Sequence, residues 1–258
     1  MNMSELEKYN NFLEKAQVLL ANAKKVVILS GAGISAESGI STFRDATTGA
    51  LWDKFDPAKL SSMQGFEEDP ALVWEWYITR IKQVADLAMP NDGHIAIGQM
   101  EEHKETIVIT QNVDDLHECG GAHDVIHLHG DIQTARCFAD CGWNGLVTEL
   151  DLTEGTTPTC PRCNGIARPN VVWFGEMLDD KVVSSAIEAL EDCDLLIVVG
   201  TSGQVYPAAS YPWYAKKNKQ EAKIISINTR QHDHCQLADI CLTEKSGKAL
   251  KDLVEVLV

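Results

Sequence analysis

Four cysteines stand in two close pairs, Cys137-x3-Cys141 and Cys160-x2-Cys163, with 18 residues between the pairs. Pairs at that spacing close a tetrahedral zinc site, and four thiolates leave no open position for water or substrate. One Zn2+ held there is structural, so the chemistry must come from other residues. The candidates are Gly31, Ala32, Gly33 and Ala36 in a Gly-x-Gly-x-x-Ala loop, the run Gln111-Asn112-Val113-Asp114, His129 before Gly130, and the turn Gly200-Thr201-Ser202. A carboxylate, an amide, an imidazole and glycine-rich turns are groups that can grip a nucleotide and move a proton beside it. Taken singly, each has a plainer reading, because Asn, Asp, Gly and Ser favour turns in any protein.

Each candidate follows an apolar run of strand length. Lys25–Ser30 precedes the glycine loop, Glu105–Thr110 precedes Gln111, and Val125–His129 carries the histidine. Asp194–Gly200 leads into the Gly-Thr-Ser turn, and Lys223–Asn228 ends at a further amide, Asn228. Helical patterns fall between these runs, at about 4–22, 66–88, 92–103, 180–192 and 249–258. The alternation predicts an α/β fold: a Rossmann-like parallel sheet domain, with a smaller zinc-ribbon plus helical domain inserted. The expected sheet domain is discontinuous, covering 1–45, 91–130 and 168–258. A helical insert covers 46–90, and the zinc-binding insert covers 131–167. In such sheets ligands bind beyond the carboxyl ends of the strands, where the candidates cluster. A conventional hydride-transfer enzyme would place an acidic residue about 20 positions after the glycines, at the end of a second strand. Asp53 and Asp56 lie near that distance but in a loop-like stretch, which disfavours that class.

The 258-residue chain carries a net charge of −16 and is 45% apolar. That balance supports a sizeable core. It disfavours nucleic acid and anionic membrane as partners, since phosphate contacts need clustered Lys and Arg. No apolar run reaches the ~18 residues of a membrane span. The opening segment reads as a polar amphipathic helix rather than a leader, so a cytoplasmic location is expected. In a reducing compartment, paired cysteines mean metal rather than disulfide. Cys119, Cys193, Cys235 and Cys241 are scattered and read as small apolar residues.

The motifs GAGISAESGISTFRD (31–45), TQNVD (110–114), HLHG (127–130), the two cysteine pairs, RPNVVWFGE (168–176), GTS (200–202) and IN (227–228) occur in this order. Together, from about residue 20 onward, they resemble the sirtuin family of NAD-dependent protein lysine deacylases. The resemblance implies NAD as cofactor and acylated-lysine proteins as substrates, bound as an extended strand; a monomer is expected. It implies His129 as general base, with His127 a nearby rival, and Asn112 as its catalytic partner. Asn112 and Asp114 would hold the nicotinamide ribose and carboxamide region, and Gln111 the ribose. Gly31, Ala32, Gly33, Ala36, Phe43 and Arg44 would form the cofactor loop; Gly200, Thr201, Ser202 and Asn228 would meet the adenosine half. Val172, Trp173 and Phe174, with Val205 opposite, match the segments that hold the peptide. The implied reaction releases nicotinamide, O-acyl-ADP-ribose and free lysine.

Tyr77 and Arg80 lie three residues apart in WEWYITR (74–80), so one helix face can present both. The pair resembles the Tyr-x-x-Arg of sirtuins that remove succinyl, malonyl and glutaryl groups. It predicts recognition of an acyl carboxylate as well as deacetylation. Two positions depart from the family pattern: Ser41 replaces a common proline, and the first cysteine pair has x3 rather than x2 spacing. The rival readings are a deacetylase without acidic-acyl preference, a non-catalytic NAD or ADP-ribose sensor, and a mono-ADP-ribosyltransferase.

Overall fold

The Val, Ile and Leu runs form strands whose side chains alternate between two buried faces. The computed structural model describes residues 3–40, 60–153, 155–218, 221–230 and 233–257. Phe43 and Arg44, together with Ser41, Asp53 and Asp56, lie outside the described residues. The described strands are β1 (Lys25–Ser30), β2 (Glu105–Thr110), β3 (Val125–His127), β4 (Gly130–Cys137), β5 (Asn144–Leu146), β6 (Ala167–Val171), β7 (Leu195–Val199), β8 (Lys223–Asn228) and β9 (Ile240–Thr243).

Six strands make one parallel sheet in the order β3-β2-β1-β7-β8-β9. The direction of winding reverses between β1 and β7, so a crevice opens at their carboxyl ends. Val26 and Ile28 of β1 face a core shared with Leu20, Ile97 and Leu250, from helices Met3–Asn22, Asp92–Glu101 and Ser246–Val254. Val27 and Leu29 face the opposite core, with Ala186, Leu190 and Tyr211 from helices Asp180–Glu191 and Tyr211–Lys217. The sheet is therefore covered on both sides, as an all-parallel sheet requires.

The smaller antiparallel sheet has the order β5-β4-β6. Its β4 starts one residue after His129, so this sheet is continuous with the end of β3. Ile132, Ala135, Val171 and Trp173 share a core with Phe66, Trp74, Tyr77 and Ile81 of the helical segment. The helical and cysteine-bearing parts thus stand as one layer beside the crevice.

Several elements differ from expectation. The 66–88 pattern splits into helices Met63–Glu68 and Pro70–Leu87, because Asp69 caps the second through Leu72 N–H and Pro70 fills its first turn. Residues 168–171, expected in the sheet domain, lie in the smaller sheet as β6. Strand β9 and helix Tyr211–Lys217 have no counterpart among the expected elements. The first is only four residues long, and the second opens with a Tyr-Pro sequence that reads as a turn. Among the described residues no helix is long and apolar enough to cross a membrane.

Candidate active site

The glycines after β1 and β7 let two backbones touch. Gly31 N donates to Val199 O at 3.1 Å, and Gly33 N to Gly200 O at 2.8 Å. A Cβ on Gly33 would meet Gly200 O at 2.7 Å, and one on Gly200, where φ is +64°, would meet Ile34 N at 2.4 Å. The crossing forms a side-chain-free saddle at the sheet's switch point, the kind of surface a dinucleotide backbone can approach. The loop continues into a four-residue 3-10 turn, Ser35–Ser38, with Ala36 exposed on it and Ala32 half-buried before it. Asn91 secures that turn, donating to Ile34 O at 2.7 Å and Ser38 Oγ at 2.9 Å.

The end of β2 supplies the polar floor. Asn112 is buried; its Nδ2 donates to Ser35 Oγ at 2.9 Å, and Ser35 Oγ donates to Asp114 Oδ1 at 3.3 Å. Burial raises the Asp114 carboxyl above its usual range, against the Leu116 N–H and the Ser35 hydroxyl, which hold it down. Gln111 reaches across the crevice to Thr201 Oγ1 at 2.8 Å and back to Ser30 O at 3.2 Å. Asn228, at the end of β8, donates to Thr201 O at 2.9 Å, which fixes the Gly200-Thr201-Ser202 turn. Gln111, Asn112, Asp114, the glycine saddle and Thr201 therefore form one connected site at the mouth expected from the sequence.

Beneath the floor lies a layer not anticipated from the motifs. Ser30 Oγ donates to Thr110 Oγ1 at 2.9 Å and contacts His117 Nε2 at 2.8 Å, while Asn112 N donates to Thr110 Oγ1 at 3.0 Å. His94 packs edge-on against His117, with ring centroids 5.1 Å apart. Burial holds His94 down to about 4 and His117 well below the usual histidine range, so both are neutral. Period-two alternation could have marked Ser30 and Thr110 as inward-facing. Nothing in the sequence brings His94 and His117 together.

Histidines 127 and 129 are separated by their partners. His127 Nε2 lies 2.7 Å from Glu118 Oε1. Burial pulls its pKa down, but the Glu118 carboxylate outweighs burial and the net shift is upward. Among the described residues His129 has no carboxylate partner. Its Nδ1 lies 2.9 Å from Gln111 O, which only an Nδ1–H can satisfy, so Nε2 carries the lone pair. Burial lowers its pKa, with the Gln111 carbonyl opposing. His129 can thus take up a proton at Nε2 near neutral pH, whereas His127 is already engaged. Gly130, at φ +81°, is required next to it: a Cβ there would meet Asn170 O at 2.1 Å.

Tyr77 and Arg80 do lie together on helix Pro70–Leu87. Tyr77 is buried and accepts a hydrogen bond from Trp173 Nε1 at 3.0 Å. Burial raises the phenol pKa; Trp173, Ser61 and Arg80 oppose it. The Arg80 guanidinium stacks 5.0 Å over Trp76, and burial lowers its pKa against attraction from Tyr77 and Asp114.

Of the expected peptide-binding residues, Val172 is half-buried and Phe174 is 58% exposed, but Trp173 is turned into the core at 2%. The buried Arg168 holds Trp173 there. Its guanidinium lies 3.4 Å over the indole and forms a two-pronged ion pair with Glu176, which also accepts from Trp173 N at 2.8 Å. Amide hydrogens of Val172 and Phe174 donate to His129 O and Ser61 O. Exposed Val205, Tyr206 and Met177 add apolar surface to that carried by Phe174.

The four cysteines converge as their spacing requires. Their sulfurs lie within 4.8 Å of one another, with Cys137–Cys163 and Cys141–Cys160 both at 3.6 Å. Four sulfurs about 2.3 Å from one zinc would be about 3.8 Å apart, so the thiols fit one tetrahedral ion.

The Sir2 family model matches residues 31–207. NAD-dependent protein deacylase 1 of Pseudomonas aeruginosa is 43% identical over 243 residues, spanning 92% of this chain and 95% of that protein. A crystal structure of a Sir2 homologue complexed with NAD superposes with a TM-score of 0.86 at 41% identity, covering 93% of this chain and 92% of that one. Sir2Af2 bound to a myristoylated histone peptide superposes with a TM-score of 0.76 at 33% identity, covering 96% and 97%. With its order of motifs, its sheet and these relatives in agreement, the chain belongs to the Sir2 family.

Proposed function

We infer that this protein is an NAD-dependent protein-lysine deacylase that removes acidic acyl groups, succinyl and malonyl, as well as acetyl. The observation that carries the chemistry is the orientation of His129: Nδ1 is tied to Gln111 O beside the Asn112–Ser35–Asp114 cluster, leaving Nε2 to accept a proton. NAD supplies an electrophilic ribose carbon and nicotinamide as the leaving group. Gly31, Gly33 and Gly200 provide the saddle for its pyrophosphate, and Ala32 and Ala36 flank it. Thr201, Ser202 and Asn228 meet the adenosine half, and Gln111, Asn112 and Asp114 the nicotinamide ribose and carboxamide. Phe43 and Arg44 are assigned to the same cofactor by the family resemblance. His129 takes a proton from a ribose hydroxyl, a role suited to a neutral imidazole. Because a neutral amide oxygen is a poor nucleophile, placing it against the ribose carbon supplies much of the rate.

The substrate lysine enters from the side of Val172, Phe174 and Val205, with the peptide added as a strand. The NAD-dependent deacylase relatives and the histone-peptide complex support a peptide substrate. The zinc held by Cys137, Cys141, Cys160 and Cys163 maintains the small layer and takes no part in the reaction. Acidic-acyl preference rests on Tyr77 and Arg80, a buried hydroxyl and a half-buried guanidinium on one helix. A half-buried arginine attracts an anion, and an acyl carboxylate would supply one.

Mass spectrometry on matched acetyl- and succinyl-lysine peptides, with and without NAD, tests both levels. NAD-dependent loss of succinyl well above acetyl is expected. Preference for acetyl would leave the deacylase and remove the acyl assignment. Nicotinamide release without acyl loss would replace it with ADP-ribosyl transfer.

A further inference from the structure

The wall that carries Tyr77 also carries a second buried hydroxyl, that of Ser61. Ser61 is 6% exposed, and its Oγ makes no well-aligned hydrogen bond among the described residues, although the Tyr77 hydroxyl lies near it. Its neighbour Ser62 differs: that hydroxyl caps helix Met63–Glu68 by accepting from Gly65 N at 3.1 Å. Ser61 is fixed by its backbone instead. Its carbonyl accepts from Phe174 N at 2.9 Å, and Ser62 pairs with Phe174 in an isolated parallel bridge. The residue therefore joins the Tyr77 helix layer to the strand on which the substrate is expected, and its hydroxyl lies beside that of Tyr77.

Counting protons shows what this corner lacks. Trp173 Nε1–H, Tyr77 O–H and Ser61 O–H are three donors. The indole hydrogen goes to the Tyr77 oxygen at 3.0 Å. Whichever way the two hydroxyls share a hydrogen between them, one O–H has no acceptor among the described residues. A buried donor left unsatisfied costs about 1–3 kcal/mol. The corner is rich in donors and lies within reach of the positive charge of Arg80, groups that an acceptor-only anion would satisfy. A carboxylate offers about four lone-pair sites and no hydrogen. An acetyl methyl offers neither, and would leave the hydroxyl as it is.

We propose that Ser61 is a third specificity-determining residue of the acyl pocket, its hydroxyl donating, with Tyr77 and Arg80, to the terminal carboxylate of the acyl chain. The proposal rests on the acidic-acyl reading above. Its simplest competitor is that Ser61 merely fills space, as alanine would.

Ser61→Ala separates the two. Steady-state kcat and KM are measured for wild type and variant on acetyl-, succinyl- and glutaryl-lysine peptides of one sequence, with the thermal midpoint of each protein. The succinyl-to-acetyl ratio of kcat/KM is expected to fall about tenfold, mainly through KM, the lower end for a hydrogen bond to a charged group. The midpoint of the unliganded variant should hold or rise, because an unpaired buried hydroxyl is removed. A wild type that prefers succinyl and a variant with the same ratio would overturn the role of Ser61 alone. Equal losses on all three peptides would overturn it too, by making the serine structural. A wild type with no acidic-acyl preference would overturn the acidic-acyl reading, and this proposal with it.

Discussion

On the floor of the crevice, the polar groups that face the ligand are paired with one another. Asn112 is held by Ser35 and Thr110, Asp114 by Ser35 and Leu116 N, and Gln111 by Thr201 and Ser30. On the wall that carries Tyr77, the same accounting leaves a hydroxyl hydrogen over among the described residues. A floor already satisfied keeps its geometry before ligand binds, which suits groups that must orient one reaction. A wall left short of an acceptor gains most when the ligand supplies it, which suits groups that must choose between substrates. Under the proposed function, the paired amide and carboxylate groups of the floor would hold the cofactor, and the hydroxyl left over on the wall would help choose the acyl group.

The largest effect expected breaks the floor. His129→Ala should lower kcat about 10²- to 10⁴-fold, the usual worth of a positioned general base. His127→Ala should cost much less, because that ring is held by Glu118. The acid limb of the wild-type kcat/KM profile should lie below pH 6.5, since burial lowers the His129 pKa and protonation removes the acceptor. A larger loss in the His127 variant would exchange the roles of the two rings.

How much of this was legible beforehand follows from the range of the interactions. The strands before Gly31, Gln111 and Gly200 could be read because buried parallel strands are continuous apolar runs, and their carboxyl ends locate a site without knowledge of the packing. The cysteine cluster could be read because metal geometry fixes its spacing. The orphan hydroxyl of Ser61 and the edge-on pair of His94 and His117 could not. Each joins segments distant in the chain, and a serine or a histidine in a polar stretch carries no signal of burial. The family resemblance alone places Trp173 at the peptide; its side chain is turned inward by Arg168 and Glu176, at short range in the same motif.

The layer under the floor can be tested by acid. His94 has a folded pKa of about 4 against about 6.5 when unfolded. Between those values the unfolded chain binds a proton that the folded chain refuses. Stability is therefore unaffected above pH 6.5 and falls as pH drops toward 4, by about 3 kcal/mol from this residue. His117 adds to the fall in the same direction. Denaturant titrations at stepped pH should show a shallower loss in His94→Gln than in wild type. Equal slopes would mean that the ring accepts a proton without leaving its place.

Arg80→Met sharpens the comparison where the two regions meet. The substitution keeps an apolar stem over Trp76 but removes the charge and the two-pronged fork that matches a carboxylate. The succinyl-to-acetyl ratio of kcat/KM should fall about tenfold to a hundredfold, mainly through KM, in line with hydrogen bonds to a charged group. Arg80→Lys keeps the charge without the fork and should recover only part of the ratio. Arg80 also attracts Asp114, and burial of that carboxylate is opposed mainly by hydrogen bonds rather than by a cation. Should acetyl and succinyl turnover fall together, Arg80 would belong to the floor, sustaining the Asp114 charge, and selection would rest on hydroxyls alone. Should the ratio fall while acetyl turnover changes little, the wall is separable from the floor, and substrate choice can be altered without disturbing the reaction.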